Sequence, residues 1–413
     1  MEKTAFHDIN RANLVALFEG GDKRPRTLGF ELEHVLLHKG ANTPVSYDEP
    51  GGVHDVLKRL APFYDEVHRE GESIIGLSRE NVAVTIEPAA QLEISAGPFH
   101  KVSETEAAYQ QFRAELDPIL DEFGLETPMV GYNPAACAKD LPLIPKFRYE
   151  SMTRFLGAEA YAGICMMRGT ASLQISIDYR DGDDAMRKLR IAEKLAPVAA
   201  LMCDNSPVFE GAPRKHPLVR TAVWAGMNQD RVGTIPGSLR PDFSFADYAD
   251  YIMTRGAILV PDDDEPQGWR YVADQTFDEV YADREMTRAE LEHALSMVWP
   301  DARLKNFVEI RPADAMPLPY ALAYAALVKA VFYSDRNLNA LDALLIDVDE
   351  QHVRQAKEAL MKDGYEAEVY GHIADFWADE LIGLAQAELD EEERHYLEPL
   401  AELVAKRTTL ADR

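Results

Sequence analysis

The sequence predicts an α+β protein built on an antiparallel sheet, and three observations predict it. Stretches far apart in the chain, around residues 27–37, 81–98, 167–178 and 307–311, alternate apolar and polar side chains with the period of two that β-structure imposes. The segments between and after them place apolar residues at helical spacing. Across the polar faces of these stretches Glu recurs, with Gln and Arg and almost no Lys, so the faces share a chemistry.

Taken in order, residues 8–18 read as a short amphipathic helix stopped by Gly20-Gly21. In residues 27–37, Leu28, Phe30, Leu32 and Leu36 lie on one face and Glu31 with Glu33 on the other. Residues 53–70 read as helical. In residues 81–98, Val82, Val84, Ile86, Leu92 and Ile94 oppose Thr85, Glu87, Gln91, Glu93 and Ser95. Pro88 cannot donate to a ladder; a three-residue loop over Pro88, Ala89 and Ala90 turns the chain as a hairpin and keeps Glu87 and Glu93 on one face. Ser103 with Glu106 reads as a capping box before a helix reaching about Phe123. Residues 128–145 form a Pro-rich loop or active-site cover, and 147–155 a short helix.

Further on, Met167, Ala171, Leu173, Ile175 and Ile177 alternate with Arg168, Thr170, Ser172, Gln174, Ser176 and Asp178. Residues 183–203 carry helical spacing, kinked at Pro197, and pack on the sheet's oily face. Residues 209–237, with Arg220, Trp224, Arg231 and Gly233, show no period and are placed in loops. Residues 244–254 are helical, and Thr287 with Glu290 caps a helix to Trp299. Val308 and Ile310 then alternate with Phe307, Glu309 and Arg311. Residues 321–333 read as a buried helix and 337–413 as almost wholly helical, with the acidic run 388–393 a solvated face or turn.

Charge and motif content narrow the function. Lys plus Arg is 43 against 71 Asp plus Glu, a formal charge of −28, which argues against nucleic acid or an anionic membrane as partner. No apolar stretch is long enough to span a membrane and the N-terminus lacks a signal-peptide layout, so the default location is cytoplasmic. Cys137, Cys165 and Cys203 have no metal-ligand spacing and read as buried thiols. Neither a Gly-x4-Gly-Lys-Ser/Thr loop nor a strand-linked Gly-x-Gly-x-x-Gly is present, so metal ions and arginines would have to hold any nucleotide. No Gly-x-Ser-x-Gly elbow or His-Glu-x-x-His occurs. An ordinary solvent face would scatter Lys and Thr among its polar positions. A shared surface of four or five carboxylates costs several kcal/mol of repulsion unless cations neutralise it, and oxygen-only donors suit Mg²⁺ or Mn²⁺. The polar face reads as a metal-lined catalytic surface.

Six ordered blocks resemble the plant and proteobacterial type of glutamate–cysteine ligase, among the carboxylate–amine ligases related in fold to glutamine synthetase. The blocks are Gly29-Phe30-Glu31-Leu32-Glu33; Ile86-Glu87-Pro88 through Gln91-Leu92-Glu93-Ile94-Ser95 with Gly97-Pro98; residues 166–179; Asn205-Ser206-Pro207 with Glu210-Gly211; Arg220, Trp224 and Arg231 to Gly233; and Glu309-Ile310-Arg311 with Ala313-Asp314. The resemblance implies a curved antiparallel sheet forming a funnel backed by helices, which holds ATP, two or three Mg²⁺ and amino-acid substrates. The chain is expected to divide into a catalytic unit over residues 1–335 and a helical segment, 336–413, packed on it. The implied activity is ATP-dependent joining of the glutamate γ-carboxylate to the cysteine amine through an acyl phosphate, the first step of glutathione or related thiol synthesis.

On that reading Glu31, Glu33, Glu87, Glu93, Gln174 and Glu309 are metal-site residues, with Glu309 and Arg311 catalytic. Arg311 and Arg231 serve the nucleotide phosphates, and Arg220, Trp224, Thr170 and Ser172 serve the substrate; a guanidinium fork suits a carboxylate. The partners are glutamate, cysteine and ATP, with a monomer or dimer both open. The chain departs from the family at Ala89-Ala90, where Gly-Gly is usual, and at Pro312, where Gly is usual. If those turns need positive φ, alanine costs about 1 kcal/mol. Two alternatives remain: a ligase of the same chemistry using another amine or acid, and a non-catalytic metal- or nucleotide-binding regulator.

Overall fold

Eight antiparallel strands form the sheet that the alternating stretches require. The computed structural model describes residues 6–22 and 26–413; residues 1–5, where the N-terminal reading begins, and 23–25 lie outside it. The strands are β1 (Leu28–His34), β2 (Glu66–Glu70), β3 (Ser73–Arg79), β4 (Val82–Ile86), β5 (Leu92–Phe99), β6 (Ser172–Ile177), β7 (Ala302–Leu304) and β8 (Val308–Asp314). Their order is β7-β8-β6-β1-β5-β4-β3-β2, and every neighbouring pair is antiparallel.

Register brings the carboxylates together, because side chains two apart share a face and cross-strand partners do too. Glu31 lies opposite Ser95 on β5 and Gln174 on β6, and Glu33 lies opposite Glu93. The Glu87 amide donates to the Gln91 carbonyl at 2.9 Å and the Ala90 amide to the Glu87 carbonyl at 2.9 Å, so the loop is Pro88, Ala89, Ala90 as expected. Ala90 has φ of +67°, the conformation that alanine enters only at a cost. In β8 the register slips between Ile310 and Ala313. Arg311 and Pro312 form the bulge; the Arg311 amide donates to the Asp301 carbonyl at 3.0 Å, and Pro312 occupies a place where no ladder donor is needed.

Helices cover the oily face, and others stand across the cavity from the polar one. In chain order they are α1 (His7–Glu19), α2 (Val53–Leu60), α3 (Val102–Phe123), α4 (Phe147–Glu159), α5 (Gly182–Met202), α6 (Val219–Ala225), α7 (Phe245–Met253), α8 (Arg288–Leu295) and α9 (Leu318–Phe332), followed by α10 (Asp335–Leu344), α11 (Glu350–Asp363), α12 (Ala374–Glu388) and α13 (Glu398–Ala405). Helix α5 packs on β8 and β7, α3 on β5, and α9 on β6 and β1. Helix α9 is buried from Ala321 to Phe332 except at Lys329, and each large apolar side chain removed from water there contributes about 1.5–3 kcal/mol. The capping boxes at Ser244/Asp247 and Thr287/Glu290 are formed.

Several expectations need correcting. Residues 53–70 are not one helix: Pro62 lies in a turn of 3₁₀ helix and the chain then enters edge strand β2. Helix α3 is capped two residues before Ser103, at Lys101, where the Glu104 carboxylate accepts from the His100 and Lys101 amides at 3.0 and 2.8 Å. Cys165–Gly169 is a π-helical turn rather than strand, so the 167–178 strand begins only at Ser172. Within 209–237 the chain forms α6, and α8 stops at Leu295 because Trp299 pairs as a short strand with Val232. The hairpin Gly256–Pro261 with Trp269–Thr276 was not foreseen. In the acidic run Glu393 is buried, accepting from the Val102 amide at 2.9 Å and Lys329 Nζ at 2.6 Å.

Candidate functional site

The polar face of the sheet forms one wall of a cavity of about 310 Å³. Glu31 and Glu33 of β1, Glu87 beyond β4 and Glu93 of β5 enter it from one side, and Arg303, Lys305 and Arg311 from the β7–β8 side. The opposite wall is α4 with Arg148, Tyr149 and Met152, the π-turn with Met166 and Met167, α6 with Arg220 and Trp224, and Ser296 with Trp299. The cavity is bipolar: carboxylates at one end and cations at the other.

Each carboxylate on the acidic side is fixed or crowded. Glu33 accepts from the Ser172 amide at 2.8 Å and Ser172 Oγ at 2.7 Å. Burial, then repulsion from Glu87, outweighs those bonds and pushes Glu33 up to about 7. Glu93 accepts from Thr85 Oγ1 at 2.8 Å, yet burial and the charges of Glu31, Glu87 and Glu33 hold it well above the ordinary carboxylate range. Burial, then Glu309, raises Glu31, and burial raises Glu87 against the pull of Lys146 and Arg148. Without a cation this wall favours protons, since like charges at short range disfavour ionisation.

Glu309 behaves in the opposite way. It is fully buried and accepts from Arg303 Nε at 2.8 Å, Lys305 Nζ at 2.9 Å and Arg311 Nη1 at 2.6 Å. Burial alone would raise it, but Arg303, Lys305 and Arg311 together hold it well below the usual range. The expectation that Glu309 is a metal residue meets a different geometry: its side chain lies behind the cations and is not part of the cavity lining, while its three partners are. Gln174 lines the cavity with its amide oxygen bonded to Arg311 Nη1.

Among the expected substrate residues, Arg220, Trp224, Thr170 and Ser172 all line the cavity. Arg220 and Trp224 are four apart on α6, a helix that the absence of a long apolar period concealed. Arg220 Nη1 donates to the Ala313 carbonyl at 2.8 Å and the Pro312 carbonyl at 3.2 Å, while its buried Nε has no hydrogen-bond partner. The Thr170 hydroxyl is spent on the Met166 carbonyl at 2.7 Å. Arg231 is a correction: it is absent from the lining, buried under Phe155, and donates from Nη1 to the Gly256 and Met297 carbonyls at 2.9 and 3.2 Å. A guanidinium so committed to loop carbonyls is not available to a phosphate.

Sequence reading missed Arg303, Lys305 and Arg148. The signal for the first two was present, since Arg303 and Lys305 precede the recognised Glu309 strand, but their partnership with Glu309 needs the β7–β8 pairing. A second cavity of about 400 Å³ adjoins the first and shares Arg220, Trp224, Trp299 and Arg311 with it. The three cysteines are free thiols, with Cys137 only half-buried.

A divalent cation suits the acidic wall. Among the described residues no group of three or more His, Cys, Asp or Glu side chains is placed to hold a metal ion. The donors are nonetheless all oxygen, as Mg²⁺ requires, and the raised Glu31, Glu33, Glu87 and Glu93 are the mark of a wall short of positive charge. Among the described residues no helix is long and apolar enough to cross a membrane.

Comparison with known proteins adds independent findings. The family model of glutamate–cysteine ligase family 2 (GCS2) matches residues 27–413. The chain is 26% identical over 399 residues to a chloroplastic glutamate–cysteine ligase of Medicago truncatula, covering 94% of this chain and 77% of that one. It is 26% identical over 429 residues to the chloroplastic enzyme of Arabidopsis thaliana, covering 99% and 80%. The crystal structure of a glutamate–cysteine ligase from Francisella tularensis in complex with AMP shares the fold, with a TM-score of 0.61 at 12% identity over 95% of this chain and 84% of that one. The chloroplastic relatives overturn the expected cytoplasmic location. That expectation rested on the lack of a secretory signal, a test with no bearing on plastid proteins.

Proposed function

The chain belongs to glutamate–cysteine ligase family 2, and from that membership and the bipolar cavity we propose how it joins the glutamate γ-carboxylate to the amine of cysteine at the expense of ATP. The single observation that carries the reading is a cavity with Glu31, Glu33, Glu87 and Glu93 at one end and Arg303, Lys305 and Arg311 at the other. Transfer of a phosphoryl group demands positioning and neutralised phosphate oxygens. Mg²⁺ held by the four glutamates would orient the polyphosphate and neutralise part of its charge. Arg311 and Lys305, locked in place by Glu309, take up charge on the transferring phosphate. Arg220, in the cavity wall, holds the α-carboxylate of glutamate, and Ser172 keeps Glu33 in its rotamer.

The γ-carboxylate oxygen attacks the γ-phosphorus as the bond to ADP breaks, giving γ-glutamyl phosphate. The cysteine amine then attacks the acyl carbon, phosphate leaves with the C–O bond, and the amine loses a proton as the amide forms. Walls of Tyr149, Met152, Met166, Met167, Trp224 and Trp299 limit access of water to the acyl phosphate. The division at residue 335 belongs to the same proposal: no residue lining this cavity lies beyond Arg311, and the C-terminal helices pack on α5 and α9. The substrates are small molecules.

ADP release measured with glutamate, Mg²⁺ and a panel of amines tests the reading. Release that needs both glutamate and cysteine supports it; release with another amine favours a sister ligase, for which Ala90 and Pro312 beside Glu87 and Arg311 are the motivating departures. No release under any condition leaves a regulator.

A further inference from the structure

Of the buried side-chain nitrogens and oxygens that lack a hydrogen-bond partner among the described residues, two belong to residues lining the cavity: Arg220 Nε and Arg148 Nε. A buried guanidinium N–H left unpaired is costly, so both side chains keep donor capacity that the protein itself does not use, and both stand in the cavity wall. The reaction brings in two amino acids, each with an α-carboxylate, and one of these is taken by Arg220. We propose that Arg148 is the receptor for the α-carboxylate of the incoming amine substrate and so decides which amines are accepted; this rests on the ligase reading above.

The surroundings of Arg148 suit that substrate. Its Nη2 is fixed to Ser296 Oγ at 2.9 Å and to the Ser296 carbonyl at 3.4 Å, which orients the remaining guanidinium edge. Met152 is one helical turn along α4 from Arg148, on the same face, and Met166 and Met167 stand in the same wall. A carboxylate fork flanked by soft, polarisable thioethers fits a small amino acid whose side chain is a thiol or short apolar group. Arg148 and Glu87 line the same cavity, which puts the bound amine beside the acidic wall where the acyl phosphate forms.

Steady-state kinetics with cysteine and with cysteamine, which keeps thiol and amine but lacks the carboxylate, tests the assignment. In Arg148→Ala, kcat/KM for cysteine should fall by about 10²-fold, with cysteamine turnover and the KM values for glutamate and ATP unchanged. Arg148→Lys should recover part of the loss, since an ammonium supplies charge without the fork. Retained cysteamine turnover also shows that the variant is folded. Equal losses for both acceptors, or a rise in KM for glutamate or ATP, overturn the proposal, the latter by placing Arg148 at the other substrate or at phosphate. If both variants lose all activity through misfolding, the role is structural and the proposal falls. Wild-type protein with no glutamate-dependent ADP release sinks the ligase reading itself, whereas an active wild type whose preference for cysteine survives in both variants sinks only the role of Arg148.

Discussion

Replacing Glu93 by Gln removes one charge from the most crowded point of the acidic wall while keeping its shape. Glu93 faces Glu33 across the β1–β5 ladder, where opposed Cβ atoms stand about 5 Å apart. Two carboxylates about 6 Å apart at an effective dielectric near 20 repel by roughly 3 kcal/mol, and partial solvation in the cavity brings the relief expected from the substitution to about 1–2 kcal/mol. The metal-free variant should therefore be more stable than the parent at pH 8. The sign with pH follows from the raised Glu93: its penalty is absent below the unfolded value of about 4.3, grows as pH climbs toward the higher folded value, and is full above it. The difference in Tm should thus be near zero at pH 4 and reach roughly 1–2 °C at pH 8 for a chain of 413 residues. With Mg²⁺ the order should reverse, because the parent binds the ion more tightly and gains more from it. At fixed Mg²⁺ the variant should lose about 10²-fold in kcat, near 3 kcal/mol, with partial recovery at high Mg²⁺ or with Mn²⁺. Calorimetry in chelator at both pH values and an ADP-release assay across Mg²⁺ concentrations read these effects. A variant that is fully active, or destabilised without metal, refutes the reasoning and makes Glu93 a structural residue.

Three further outcomes are expected. Arg220→Ala should raise KM for glutamate by about 10²-fold with ATP binding nearly intact, since losing a charged partner for a carboxylate costs a few kcal/mol; an unchanged glutamate KM removes Arg220 from the site. Glu309→Gln leaves Arg303, Lys305 and Arg311 without their shared anion and should destabilise by about 3–5 kcal/mol, read as a drop in the urea midpoint; a stable variant that merely needs more Mg²⁺ would make Glu309 a metal ligand after all. Ala90→Gly should stabilise by up to about 1 kcal/mol because φ at this position is +67° and glycine enters that region without penalty; a loss of stability would mean that the buried methyl group matters more than the backbone.

Much of the architecture was legible because it is local. Alternation with a period of two announces a strand and its faces, so the same-face placement of Glu87 with Glu93 and of Glu31 with Glu33 is legible in the sequence alone, as is the three-residue loop at Pro88. Long apolar helices such as α5 and α9 announce themselves for the same reason. Elements without their own period, β2, α6 and the hairpin at Gly256–Pro261, were not readable, since pairing partners or neighbouring surfaces stabilise them rather than their own sequence. Charge state was decided last. Nothing in the local pattern distinguishes Glu309 from Glu93: both are strand glutamates facing the polar side. Tertiary structure gives one three cationic partners and the other three carboxylate neighbours, and it turns Arg231 toward loop carbonyls while Arg148 enters the cavity. Sequence by itself determined which side chains share a face, because backbone geometry imposes that period. Only the folded structure decided which charges meet, because Coulomb energies depend on distances set by strands hundreds of residues apart.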